Sequence, residues 1–251
     1  MFAEDRQKKL LDLLGRRGRL KICDIETALG ASPATVRRDL TELAQEGLVV
    51  RTHGGVLHPS VLRGEPVFQQ RIKTAVKAKE AIAREAAALV GKNQTVYPDA
   101  GSTSLAVGKL LAARTDINIF TNSVPVCALG CSDGAKIHLV GGEYRIPSQS
   151  LTGAQGLQWL DHLRVDIAFI GASGLHEKEG ASTTSLEEAA MKQSAMACAR
   201  RIILLCDGTK WNVPSTIQFA EWSLFDLWIT DAKLSKSDRD ALNIAVKTVK
   251  T

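Results

Sequence analysis

No apolar run in the chain approaches the ~18 residues that a membrane span requires, so no transmembrane helix is expected. The stretch Met1 to Lys9 is charged and leads into no apolar segment of signal-peptide type, so the expected location is the cytoplasm. There are only five cysteines, Cys23, Cys127, Cys131, Cys198 and Cys206, and an odd, scattered set is not a disulfide framework. Cys127 and Cys131 would share a face if their stretch were helical. No second Cys or His pair stands near them at zinc-site spacing, so reduced thiols and no metal are expected, with a Cys-based metal or redox sensor as a weaker reading. The chain also lacks G-x-G-x-x-G and G-x-x-x-x-G-K-[ST], which leaves neither a dinucleotide nor an ATP site and no expected cofactor. Internal repeats and low-complexity tracts are missing as well.

What is present is a chain of 251 residues, 45% apolar, long enough for two ordinary domains and too apolar to be disordered. Its net charge of +5 agrees with an anionic partner without identifying one.

The most informative local signal lies in the first sixty residues. Leu10, Leu11 and Leu14 recur at helical spacing over residues 5–14, and Gly15 and Gly18 are expected to end that helix. A basic stretch, Arg16 to Lys21, follows. Ile22, Ile25 and Leu29 then mark a short second helix closed by Gly30. Ser32 is a natural N-cap, and Pro33 suits the first helical position, where no N–H is needed. Val36, Leu40 and Leu43 form the apolar stripe of this third helix, leaving Thr35, Arg37, Arg38 and Thr41 on other faces. Two short helices around a Gly-containing turn predict a helix-turn-helix, whose second helix enters the major groove. Gly47 is expected to end it. Residues 48–56 predict a hairpin with Gly54-Gly55 near its tip, a wing that would lay Arg51 and His53 along the phosphate backbone. The competing reading is a three-helix bundle with a solvated basic face. Charge does not decide between them, since residues 1–58 hold ten Lys/Arg against eight Asp/Glu. The order of capped helix, short turn and wing favours DNA binding.

Ser32, Thr35, Val36, Arg37, Arg38, Asp39, Leu40, Leu43 and the run Arg51-Thr52-His53-Gly54-Gly55 resemble the N-terminal domain of the DeoR family of bacterial regulators. The resemblance implies a winged helix-turn-helix over residues 1–58 and double-stranded operator DNA as partner. Its expected DNA-contacting residues are Ser32, Thr35, Arg37, Arg38, Arg51 and His53.

Residues 59–78, with Pro59, Gly64 and Pro66 and then a polar, basic run, predict an exposed linker passing into a helix. From residue 79 to 251 helix and strand patterns alternate. Strands are expected over 94–97, 117–121, 136–140, 166–170, 202–206 and 227–230, and helices over 81–90, 102–113 and 186–199. Such alternation predicts an α/β fold, an open, mostly parallel sheet with helices on both faces and ligands at the carboxyl ends of its strands.

Small and polar residues sit where that rule places a site. They are Asp99-Ala100-Gly101-Ser102-Thr103, Thr121-Asn122-Ser123, Gly141-Gly142, Gly171-Ala172-Ser173-Gly174 and Asp207-Gly208-Thr209-Lys210. Any one of these turns is explained by helix capping, and Lys210 alone by a surface charge. Five at successive strand ends point to one composite pocket for an anionic metabolite, with a phosphate or carboxylate cradle at Gly101 to Thr103.

These motifs, with Asp166, Gly180 and Lys192, resemble the DeoR-family sensor domain, which is similar in fold to ribose-5-phosphate isomerase. The resemblance implies a phosphorylated sugar or related intermediate as effector. It implies Asp99, Gly101, Ser102, Thr103, Thr121, Asn122, Gly141, Gly171, Ser173 and Lys210 as effector-binding residues. Glu188 and Lys192 are open, because an i, i+4 ion pair on a helix surface explains them equally well. Trp211 is open between a sugar-stacking wall and core packing. An isomerase or deaminase fused to a DNA-binding domain is the competing reading; the segment Gly171 to Leu175 carries no carboxylate for acid–base work, so no enzyme is expected. The expectation is a repressor of a sugar-metabolism operon that acts as a dimer or larger homo-oligomer.

Overall fold

The computed structural model describes residues 2–17, 19–46, 48–52, 54–57, 68–130 and 132–251, without the side chains of residues 15–17. Gly18, Gly47, His53, Pro59, Gly64, Pro66 and Cys131 lie outside the described residues. The chain divides into two compact units, residues 1–66 and 67–251.

The first unit runs α1 (Ala3–Arg17), β1 (Arg19–Lys21), α2 (Ile22–Leu29), α3 (Pro33–Gln45), β2 (Val50–Thr52) and β3 (Gly55–Leu57). Leu10 and Leu14 of α1, Ile25 and Leu29 of α2, and Val36, Leu40 and Leu43 of α3 meet in one core with Leu20, Val49 and Val56. Each such fully buried side chain contributes about 1.5–3 kcal/mol. A buried carboxylate reinforces that core: Asp39 accepts from Arg6 Nε at 2.5 Å and Nη2 at 2.8 Å, tying α3 to α1. α1 continues through Gly15, which does not end it. A strand within the basic stretch was not expected. In β1 only Leu20 is buried, while Arg19 and Lys21 face out. β1 pairs with β3 in a sheet ordered β1-β3-β2. The pairing requires glycine at 55, where a Cβ would stand 2.5 Å from the Leu20 carbonyl oxygen.

The second unit runs α4 (Phe68–Lys73), α5 (Val76–Ala88), β4 (Thr95–Pro98), α6 (Ser102–Leu111), β5 (Asn118–Thr121), α7 (Val124–Cys127), β6 (Lys136–Leu139), β7 (Glu143–Arg145), β8 (Ser150–Thr152), α8 (Ala154–Asp161), β9 (Val165–Gly171), β10 (Gly174–His176), β11 (Gly180–Thr183), α9 (Leu186–Ala197), β12 (Ala199–Leu205), β13 (Ile217–Ala220), β14 (Leu227–Thr230), α10 (Lys236–Leu242) and β15 (Ala245–Thr248). Seven strands form one sheet in the order β15-β14-β12-β9-β4-β5-β6, with every neighbouring pair parallel. Alternate residues feed two cores. Val96, Ile167, Phe169, Ile203, Leu205 and Ile229 point to the face covered by α5 and α6. Tyr97, Ala168, Ile170, Leu204 and Trp228 point to the face covered by α8 and α9. Chain order runs outward from β4 to β6 on one side and from β9 to β15 on the other. The reversal between β4 and β9 is a topological switch point, the place where open α/β sheets bind ligands at the carboxyl ends of their strands.

The stretch from residue 68 to 78, expected as linker, belongs to the second unit. Phe68 is buried in its core, and the Phe68 amide donates to the Pro147 carbonyl at 2.9 Å. A lone aromatic in a polar run gave too little periodicity to announce a six-residue helix.

Candidate functional site

Two groups of predicted residues can be placed. The first lies on the winged unit. Ser32 caps α3, its Oγ accepting from the Thr35 amide at 3.3 Å and lying 2.9 Å from Thr35 Oγ1. Ser32, Arg37 and Arg38 are exposed, and Thr35 is half-buried. Thr41, one turn beyond Arg37, donates to the Arg37 carbonyl at 2.8 Å and accepts from Arg51 Nη1 at 2.9 Å. Arg37, Thr41 and the β2 arginine therefore form one polar surface joining helix to wing. Arg38 lies in the next row, 3.1 Å from Glu42, and is 83% exposed. An ion pair so open to water holds it with at most about 1 kcal/mol, so Arg38 can exchange Glu42 for a phosphate or base edge. Of the six predicted DNA-contacting residues, five are described here, and His53 is not.

The second group surrounds the switch point. Gly101 precedes α6 at φ 150°, a conformation that favours glycine, and no side chain caps the helix start. Ser102, Thr103 and Ser104 form its first turn. Ser104 Oγ and Asn122 Oδ1 are buried without a hydrogen-bond partner among the described residues. A helix N-terminus with uncapped amides is an anion site by geometry and dipole.

Asp99 is buried at the end of β4. It accepts from the Gly171 amide of β9 at 3.2 Å and pairs with Lys192 Nζ of α9. Burial raises the Asp99 pKa, against the pull of Lys192 and the Gly171 N–H. Lys192 Nζ also lies 5.6 Å from the centre of the Phe219 ring. One turn back on α9, Glu188 accepts from Thr183 Oγ1 at 3.0 Å and from Arg145 Nη1 at 3.4 Å. Burial pushes its carboxyl up, but Lys192, Ser148 and Arg145 outweigh that and hold its pKa below the usual value.

The remaining predicted residues divide by role. Thr121 Oγ1 donates to the Pro98 carbonyl at 2.6 Å and accepts from the Ser123 amide at 3.0 Å, so it joins the ends of β4 and β5 rather than offering its hydroxyl to a ligand. Asn122 donates from Nδ2 to the Leu151 carbonyl at 3.1 Å. Gly141 follows β6, with open space where a side chain would be. The Ser173 amide donates to Ser182 at 2.9 Å, in the turn between β9 and β10. Lys210 is half-buried in the 3-10 turn Gly208–Lys210, capped by Asp207.

Sequence reasoning gave no role to two cations. Lys79 is buried and donates to the carbonyls of Arg71 at 2.5 Å and Thr74 at 2.6 Å. Burial pushes its pKa down to about 8, against the pull of Asp207 and with the help of Lys210. Arg145 reaches Glu188 from β7, a short strand of a separate two-stranded sheet that no sequence pattern announced. Two expectations need correcting. Glu188 and Lys192 are not a surface pair: both are buried, and Lys192 binds Asp99. The signal was present in α9, where Ala189, Met191, Ala195 and Met196 leave no wide polar face. Nor is the site bare of carboxylates, as the Gly171 to Leu175 segment suggested, because Asp99 and Glu188 reach it from other elements. Trp211 packs at 5.4 Å from Trp228 and 6.0 Å from Trp222, ring centre to ring centre, half-buried against the core. Among the described residues no cluster of three His, Cys, Asp or Glu could hold a metal, and no helix is long and apolar enough to cross a membrane.

Comparison with known proteins agrees with this division. Residues 6–60 match the DeoR-like helix-turn-helix domain, and residues 74–232 match the DeoR C terminal sensor domain. The chain is 32% identical to the HTH-type transcriptional repressor GlcR of Bacillus subtilis (strain 168), over 97% of this chain and 94% of that one. It is 28% identical to the Glycerol-3-phosphate regulon repressor of Escherichia coli (strain K12), over 92% of each. Ribose 5-phosphate isomerase A from Methanocaldococcus jannaschii is similar at 18% identity and a TM-score of 0.42, over 56% of each chain.

Proposed function

The chain belongs to the DeoR family of DNA-binding transcriptional regulators, and from that premise we propose that it represses a sugar-metabolism operon and is controlled by a phosphorylated sugar or related metabolite held at the strand ends. It is a regulator, not an enzyme. The observation that carries the effector reading is the start of α6. Uncapped amides at Gly101 to Ser104 follow β4 at the switch point, and Ser104 Oγ in that turn and Asn122 Oδ1 after the neighbouring β5 are buried without a partner among the described residues. Ser102 and Thr103 hold the phosphate, Lys210 adds positive charge, and Asp99, Gly101, Thr121, Asn122, Gly141, Gly171 and Ser173 shape the surrounding wall. Asp99 and Glu188 are each already engaged by a cation, which suits holding a ligand better than moving its protons.

The protein acts in the cytoplasm as a homo-oligomer. One winged unit buries limited DNA surface, and paired half-sites supply the rest. On operator DNA, Ser32 positions the recognition helix, Thr35, Arg37 and Arg38 read the groove, and Arg51 and His53 follow the backbone.

A thermal-shift screen of the full chain against sugar phosphates tests the effector reading. A true effector at a hundred times its dissociation constant adds about 2.7 kcal/mol of stability. Lys210→Ala weakens that binding more than Ser102→Ala does, because the helix amides survive the loss of one hydroxyl. Both variants bind promoter DNA normally without ligand, and neither they nor the wild type turns the sugar over. A panel with no stabilising member, or detectable isomerisation abolished by Lys210→Ala, would end this reading.

A further inference from the structure

The β7–β8 hairpin touches both the strand-end site and the first helix after the segment that joins the two units. At one end Arg145 donates to Glu188 at 3.4 Å and to Ser148 at 3.1 Å, and Ser148 and Ser150 share a hydrogen bond of 2.8 Å. Along its inner edge the hairpin is stitched to the loop after β5. The Leu151 amide donates to Asn122 at 2.8 Å, the Val124 amide donates to Gln149 at 3.0 Å, and Ser123 bridges Ser150. At the other end the Pro147 carbonyl accepts from the Phe68 amide at 2.9 Å and from Arg71 Nη2 at 3.3 Å. Phe68 and Arg71 lie on α4. Its far end is tied down by Lys79, whose ammonium binds the carbonyls of Arg71 and Thr74.

We propose that this hairpin is a strut that passes occupancy of the strand-end site to α4, and through α4 to the segment leading to the DNA-binding unit. The inference rests on the effector reading above for what moves the strut. Without ligand, two of the cations around the site are held by internal carboxylates: Lys192 by Asp99 and Arg145 by Glu188. An arriving anion competes for those cations. Arg145 is the one carried by the hairpin, so its shift from Glu188 toward the ligand displaces Pro147, two residues along. Pro147 in turn holds the start of α4. A ligand can shift a conformational equilibrium only through contacts that differ between the two states, and the exchange of partners at Arg145 supplies that difference.

Hydrogen exchange on the full chain tests the strut without any ligand. Arg145→Met and Glu188→Gln both loosen the site end, and each is expected to raise amide exchange over residues 68–73 by about tenfold or more, as local opening of a distant but connected segment. Two variants are used because either alone could disturb folding. If both fold and exchange in α4 is unchanged while that of residues 143–152 rises, the strut is broken and the proposal fails.

A second measurement uses Arg71→Lys, which removes the guanidinium that reaches the Pro147 carbonyl but keeps the positive charge that Arg71 places near Glu188. The probes are ribose 5-phosphate, glucose 6-phosphate, fructose 1-phosphate and inorganic phosphate, and the DNA is the promoter region of the protein's own gene. The variant is expected to bind any active probe within about threefold of wild type. The ligand-induced change in DNA affinity, typically roughly 5–150-fold in coupled systems, should collapse toward unity. A full-sized change in that variant overturns the proposal. If no probe acts on the wild type, the effector reading fails by itself, and the exchange result decides the strut independently.

Discussion

The two functional regions handle charge in opposite ways. On the winged unit Arg37 and Arg38 are exposed, and their nearest ion pair is open to solvent. At the switch point Asp99, Glu188, Lys192 and Lys79 are buried, each with a partner already in place. A DNA-reading surface meets a polyanion from outside, so its charges can wait in water at little cost. Under the proposed reading, the second region keeps its charges in an internal balance that an arriving anion disturbs. Removing a residue should therefore act on binding alone in the first region and on folding as well in the second.

The largest expected effect breaks the internal balance. Lys192→Met leaves Asp99 buried without its cation, and losing one partner of a buried pair costs about 3–5 kcal/mol. Urea denaturation should show it. The deficit should shrink as pH falls, because protonation removes the charge that has lost its partner. The double variant with Asp99→Asn should recover much of the loss. Equal stability of Lys192→Met and wild type would show that the pair is not the anchor of this site.

The next effect is confined to binding. Arg37→Ala and Arg38→Ala should each weaken promoter binding by about 1–3 kcal/mol if the residue reads a base, or lower the salt dependence if it contacts a phosphate. Neither should change the melting temperature by more than a degree or so, since exposed substitutions are usually within about 0.5 kcal/mol. Anisotropy titrations at several salt concentrations measure both. Wild-type affinity and salt slope in the double variant would remove the recognition helix from its assigned role.

The smallest effect sharpens the contrast through pH. The pKa of Lys79 is pushed down to about 8 in the folded chain from its ordinary value of 10.5. Between those values the unfolded chain binds more protons, so this group makes stability rise with pH from about 8 upward. Below that range it is protonated in both states and contributes no slope. Lys79→Gln should flatten the rise between pH 8 and 10 in denaturation curves. An unchanged slope would mean that the ammonium is solvated.

Legibility in the sequence followed the same division. Ser32-Pro33, the Val36-Leu40-Leu43 stripe and Gly54-Gly55 are local signals, and they placed the recognition helix and wing closely. The parallel strands were legible too, because strands buried on both faces are nearly continuous apolar runs such as Ile202 to Leu205. The strand-end turns lie at the carboxyl ends of parallel strands, as the βα alternation implied. What stayed hidden was non-local. Lys192 meets Asp99 across 93 positions, and Arg145 meets Glu188 across 43. No spacing rule reports such pairs. The missed strands β1, β7, β8, β10, β11, β13 and β15 have three or four residues each, too short to establish a period.

The strand order of the main sheet also fixes a schedule for synthesis. The described strands of the winged unit are complete once residue 57 has emerged, but β4, which can pair with β5 from residue 121, gains its other neighbour β9 only at residue 171, and the edge strand β15 needs residues 245–248. At roughly 5–20 residues per second on the ribosome, the interval between a finished head and the central strand pair of the sensor is on the order of ten seconds. During that interval the nascent chain carries its helix-turn-helix unit without a folded sensor domain.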